Sequence, residues 1–279
     1  MPFKSGAAND CRGPGQTTTM GAKVSTSRPA AVPKTGKKAA LLFGLNYSGA
    51  SQGYQLSGCI NDVNDVRDLL VATGKMAAAE IVVHADDNAI GRDNTTVAGI
   101  KRNLSAIAKR SWTDALEFVY VHFSGHGCQV RDFSGDELDG LDEAIAPCDF
   151  ERSGVITDDW LRDWAVGAMN PKTKLVVIFD SCHSGSALDL VKLNNRTITF
   201  ISGCKDEQTA ADAYNIDGRF RFTGALTASM IKALKEAPTL WADVVQLCAK
   251  INSNLTSAGY DQVPVLTTAH DTAVNKVFI

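Results

Sequence analysis

Apolar residues in this chain fall into short, nearly unbroken runs, each followed by a stretch in which they recur every three or four positions. KAALLFGLNY (38–47) reads as a strand, NDVNDVRDLLVATG (61–74) as a helix, EIVVHA (80–85) as a strand and TTVAGIKRNLSAIAKRS (95–111) as a helix. The pattern repeats with LEFVYVHF (116–123), an acidic irregular segment (128–156), a helix at DDWLRDWAVGAM (158–169) and a strand at LVVIFD (175–180). Beyond Leu190 come the strand TITFISGC (197–204), helices at TGALTASMIKALKEA (223–237) and LWADVVQLCAKINSNL (240–255), and a short apolar close at VPVLTT (263–268). Continuous Val/Ile/Leu/Phe strands alternating with helices imply an α/β fold: a mostly parallel central sheet with helices on both faces.

Composition narrows the picture. At 279 residues and 44% hydrophobic content, the chain has enough apolar side chain for a full core. Residues 1–37 are Gly, Pro, Ser, Thr, Lys and Ala with little to bury, and read as a flexible basic tail and possible pro-segment. The net charge of −3 hides an asymmetry: residues 1–40 carry seven Lys/Arg against one Asp, the rest 21 basic against 30 acidic side chains. An acidic body argues against nucleic acid as a partner. No secretory pattern opens the chain and no run approaches the roughly 18 apolar residues of a membrane span, so a soluble, cytoplasmic protein is expected. Seven scattered cysteines fit neither a disulfide framework nor paired zinc spacing, which implies reduced thiols.

In a parallel sheet, chemistry collects beyond the carboxyl ends of the strands. Two motifs lie at such ends: HFSGHG (122–127) and DSCHSG (180–185). If their strands are adjacent, His126 stands beside Cys182, an imidazole able to take the thiol proton and return it to a leaving amine. The N–H groups of Gly127 and Cys182 are candidates to hold an oxyanion. His183 points away from its neighbour on a strand exit and is a poor base. A phosphatase loop lacks its Arg, since Leu188 stands at that position, and no phosphate-binding glycine motif or serine elbow is present.

These residues resemble the metacaspases, cysteine peptidases of the caspase–haemoglobinase fold. The likeness rests on HFSGHG, DSCHSG, DEAIAPCDF (142–150) followed by GVITDD (154–159), and ISGCKDEQTAAD (201–212), in the family's order. It implies one peptidase domain over 38–279, with a large-subunit-like part (38–190), a short linker (191–196) and a small-subunit-like part (197–279). It also implies cleavage of peptides and proteins after Arg or Lys, with Asp62, Asp180 and Ser124 lining the pocket for the basic side chain. The other reading of Asp62 is a carboxylate complementing its own helix dipole. Cys59 matches a second cysteine that recurs in the family beside the substrate cleft. Calcium is the implied cofactor, on Asp142, Asp158, Asp159 and Asp189, although the acid-rich loop 132–143 does not fit an EF-hand. A zymogen is implied too, with autocatalytic cleavage at basic residues such as Arg12, Lys23 and Arg28, and the short linker argues against cleavage between subunits. The expected state is a monomer. Two rival functions stand beside this one: a non-catalytic protein-binding scaffold, and a separase- or legumain-like peptidase of different specificity.

Overall fold

A computed structural model describes residues 37–135, 137, 140–181, 196–203, 212–214, 222–269 and 277–279. Cys182, Asp189, the tail before residue 37 and most of the linker lie outside the described residues. In chain order the elements are β1 (Lys38–Gly44), α1 (Cys59–Ala72), β2 (Ile81–Ala85), α2 (Ala89–Thr95), α3 (Val97–Thr113) and β3 (Phe118–Ser124). There follow β4 (Gly127–Arg131), β5 (Leu141–Ile145), α4 (Phe150–Ser153), β6 (Ile156–Thr157), α5 (Asp158–Arg162) and β7 (Lys174–Asp180). The remainder comprises β8 (Ile198–Ser202), β9 (Asp212–Tyr214), β10 (Phe222–Gly224), α6 (Ala225–Glu236), α7 (Val244–Ser257) and β11 (Val265–Thr268).

The six-stranded sheet runs β11-β8-β7-β3-β1-β2. Every neighbouring pair is parallel except β11 with β8, which is antiparallel. Both faces are buried, which is why these strands carry continuous rather than alternating apolar residues. Phe43, Phe123 and Phe179 occupy matched register positions on β1, β3 and β7. Phe123 meets Phe179 edge-on at 5.9 Å, and Phe179 meets Phe200 at 5.3 Å. They share a core with Ile100, Leu104 and Ile107 of α3. On the other face Leu42, Tyr120 and Ile178 pack against Val63 and Leu70 of α1 and Leu226 of α6. Truncating such a fully buried leucine, for example Leu41→Ala, removes about 2–5 kcal/mol.

Several segments differ from the expectation, α2 and the β9–β10 pair among them. The stretch 128–156 is not irregular: β4, β5 and β6 form a three-stranded antiparallel sheet beside the main one. The helix expected at 158–169 is α5 followed by a π-helical turn over Asp163–Ala168. Among the described residues, no helix is long and apolar enough to cross a membrane.

Register fixes what matters for function. Ser124 pairs with both Gly44 and Asp180, so β1, β3 and β7 end level at one edge of the sheet. At that edge α1 closes directly on β1, since a Cβ on Gly44 would lie 2.5 Å from the Cys59 carbonyl oxygen and 2.6 Å from Val63. The first turn of α1, with Asp62, is thereby pressed against the strand ends.

Candidate active site

His126 leaves the sheet two residues after Ser124, and in the sequence Cys182 stands two residues after Asp180. The backbones are tied there, because the Gly125 N–H donates to the Asp180 carbonyl at 3.3 Å. The described chain stops at Ser181, which is fully buried, and Cys182 follows outside it.

The imidazole of His126 is held on three sides. Its Nε2 lies 2.8 Å from the Tyr54 carbonyl oxygen. A carbonyl only accepts, so Nε2 carries the hydrogen and Nδ1 keeps its lone pair. The Tyr47 ring lies against it with centroids 4.6 Å apart, and Tyr54 presents an edge at 6.3 Å. The His126 backbone carbonyl accepts from the Ala146 N–H at 2.9 Å. Because that bond makes His126 and Ala146 a hydrogen-bonded position, strand alternation turns the next N–H, that of Gly127, away from β5. Gly127 is therefore left with a donor not spent on the ladder.

Beside this exit the structure brings Asp62, Ser124 and Asp180 together. Asp62 is 1% exposed, and its carboxylate accepts from the Gly224 N–H at 2.9 and 3.0 Å and from the Ser124 hydroxyl at 2.5 Å. Asp62 thus reaches across to β3 and β10 and does not cap α1, which has no side-chain cap. Asp180, also buried, accepts from the Thr227 N–H in the first turn of α6 at 2.8 Å. Gly224 separates the two acids: a Cβ there would lie 2.1 Å from Asp180 Oδ2 and 2.8 Å from Asp62 Oδ2. A Cβ on Gly203 would lie 3.1 Å from Gln262 Nε2, 3.3 Å from the Ser181 carbonyl oxygen and 3.4 Å from Asp180 Oδ1. Cys59 is buried at the start of α1. Sequence reading did not single out Gly224, Thr227 or Gln262. Glycine followed by an apolar helix in TGAL was the one local signal available.

A second acidic group lies on the small sheet. Carboxylate oxygens of Glu137, Glu143 and Asp158 fall within 4.8 Å of one another. Burial, then the charges of Glu143, Asp142 and Glu137, push the Asp158 carboxyl up to about 7, while the Asp159 N–H bonded to it pulls the other way. Three carboxylates crowded at a partly buried point, with oxygen donors only, suit a hard divalent cation such as Ca²⁺. Asp158 of the expected set is in the cluster, Asp142 reaches it only through its charge, and Asp159 adjoins it by its backbone N–H, 2.9 Å from Asp158 Oδ1. Glu137 and Glu143 were not foreseen, and Asp189 lies outside the described residues.

A family model described as metacaspase, peptidase C14 domain, matches residues 37–191. The chain is 32% identical to Metacaspase-1A of Aspergillus terreus over 306 aligned positions, covering 88% of this chain and 73% of the relative. To Metacaspase-1B of Aspergillus fumigatus it is 31% identical, with 88% and 72% covered. Among solved structures, a protein from Geobacter sulfurreducens superposes with a TM-score of 0.62 at 24% identity, over 86% of this chain and 97% of that one. Caspase-1 from Spodoptera frugiperda gives 0.55 at 10% identity, over 90% and 95%. At such identities these two structures speak for the fold, which is the mostly parallel, helix-flanked sheet of the caspases.

Proposed function

Since the chain belongs to the metacaspase family of cysteine peptidases, we propose that it is a calcium-dependent endopeptidase that cuts after Arg or Lys with Cys182 as nucleophile and His126 as base. The observation that carries the specificity is the convergence of Asp62, Asp180 and Ser124 beside the His126 exit. Two buried carboxylates at one point concentrate negative charge where a guanidinium or ammonium gains most from pairing.

The chemistry follows from the tautomer. With Nε2 committed to the Tyr54 carbonyl, Nδ1 of His126 takes the proton from Cys182 Sγ as the thiolate attacks the scissile carbonyl. The Gly127 and Cys182 N–H groups hold the oxyanion. Collapse of the tetrahedral intermediate breaks the C–N bond, and the imidazolium gives its proton to the departing amine. His126 then deprotonates a water that hydrolyses the thioester and returns the proton to Sγ.

Glu137, Glu143 and Asp158 would hold Ca²⁺, with Asp142, Asp159 and Asp189 as further candidates. Bound there, the ion supplies positive charge that lets these acids ionise together. β5 carries Asp142 and Glu143 and pairs with β4, the strand that begins one residue after His126, so ordering the cluster also orders the base. The protein acts as a monomer in a reducing compartment and is trimmed by its own activity at basic residues of the tail.

The test is turnover of fluorogenic peptides ending in Arg, Lys, Asn or Asp, with calcium and with chelator, beside Cys182→Ala. Calcium-dependent cleavage after Arg and Lys, abolished in Cys182→Ala, is the expected result. Turnover surviving that substitution removes the nucleophile, and preference for Asn or Asp removes the acidic pocket as the selector.

A further inference from the structure

The His126 backbone N–H does not bond to β5. It donates to the Tyr47 hydroxyl at 2.8 Å, and that hydroxyl donates to the Ala146 carbonyl at 2.7 Å. The return bond of the same residue pair, Ala146 N–H to His126 carbonyl, is intact at 2.9 Å. A regular antiparallel pair at this position exchanges two direct bonds. Here one is direct, and the other is interrupted by a phenolic oxygen from β1's exit, so the chain at His126 is wedged off the ladder. Closing the gap would move the two strands together by about 1.5–2 Å, the difference between a bridged span and a direct N–H···O bond of ~2.9 Å.

The wedge is itself fixed. Tyr47 has φ +56°, a left-handed conformation uncommon outside glycine and asparagine. It is held by Asp86, 1% exposed, whose two carboxylate oxygens accept the N–H groups of Asn46 at 2.8 Å and Tyr47 at 2.6 Å. Burial raises the Tyr47 hydroxyl well above its ordinary pKa, so it keeps the proton it gives to Ala146. A non-glycine residue held off its preferred backbone region by a buried acid marks a site the surrounding structure over-determines.

Resting on the assignment of His126 as base, we propose that Tyr47 is a positioning residue for catalysis: its hydroxyl replaces a ladder hydrogen bond to set His126 at its working distance, and Asp86 holds it there. Neither residue touches substrate.

Tyr47→Phe makes the distinctive prediction. It removes the wedge while keeping the ring, and the two groups it leaves behind can bond to each other, so the chain folds with the base displaced. With an Arg peptide at saturating calcium, kcat per folded molecule falls about 10- to 100-fold, as ångström-scale misplacement of a catalytic group does. KM stays within about twofold, because substrate contacts are untouched. Asp86→Asn, which loses one acceptor, lowers kcat less and adds nothing to Tyr47→Phe, since it acts through Tyr47. A wild-type kcat in Tyr47→Phe, or a fall matched by loss of folded protein in circular dichroism, overturns the wedge. Additive losses in the double variant overturn the part given to Asp86. His126→Ala is the control: undiminished turnover there sinks the base assignment itself, a failure distinct from both others.

Discussion

Gly224 stands where the two acids of the pocket come closest, and its missing side chain is what lets them converge. A Cβ at 2.1 Å from Asp180 Oδ2 must push that carboxylate off its Thr227 bond. Gly224→Ala is therefore expected to lower kcat/KM for Arg peptides by about two orders of magnitude, a scale reached when a buried charge loses its arrangement. Circular dichroism should show the fold retained. Equal kcat/KM for the variant and the parent would contradict the pocket. Asp158 gives the parallel case in the acidic cluster. Asp158→Asn removes a ligand and a repelling charge together, so the unliganded protein should melt no lower than the parent. The calcium needed for half-maximal activity should rise at least about tenfold, since each ligand sets affinity, and titration against calcium reads it directly. Of these side chains, His126 was singled out from a motif at a strand end, and Asp62, Ser124 and Asp180 through the family resemblance. Gly224 was not, because its partner Asp62 is 162 positions away and no local pattern encodes such a meeting.

Elements behave according to how strongly local chemistry defines them. The parallel strands were readable because burial on both faces demands unbroken apolar runs. β4 and β5, GCQVR and LDEAI, were missed since five-residue strands broken by polar groups, with Asp142 and Glu143 on opposite faces of β5, resemble a loop. α2, AIGRDNT, was missed for its glycine and its length of one to two turns. α3 is better marked: Thr96 at its N-cap accepts the Gly99 N–H at 3.0 Å. Thr96→Ala should cost about 1 kcal/mol and lower Tm by about 2–4 °C for a chain this size. Calorimetry checks this, and an unchanged Tm would show that α3 is held by tertiary packing alone.

Two buried histidines cost the folded protein stability in acid, while Asp158, whose carboxyl is raised to about 7, pulls the other way. His84 is buried with its Nε2 unpartnered among the described residues, and burial, then the charge of Arg102, lower it to about 4. His122, buried between Tyr120 and Thr227, is lowered to about 3 by burial. Both are neutral when folded, whereas the unfolded chain takes up a proton on each near pH 6.5. At these two sites the unfolded state thus binds more protons between about pH 6.5 and 4, and their contribution to stability falls as pH drops. His84 alone accounts for about 3 kcal/mol across that window, and His122 extends the loss toward pH 3. Urea unfolding at about pH 7 and about pH 4.5 should show a clearly lower midpoint in acid. His84→Leu should flatten the slope, and parallel slopes for variant and parent would clear His84 of the effect.

The acceptor that fixes the tautomer of His126 is the main-chain oxygen of Tyr54, not a side chain. While the loop keeps its path, every amino acid at position 54 offers that same oxygen. A saturation mutagenesis screen would score the position as permissive and pass over a group the proposed mechanism needs, which only an amide-to-ester replacement in the backbone could expose.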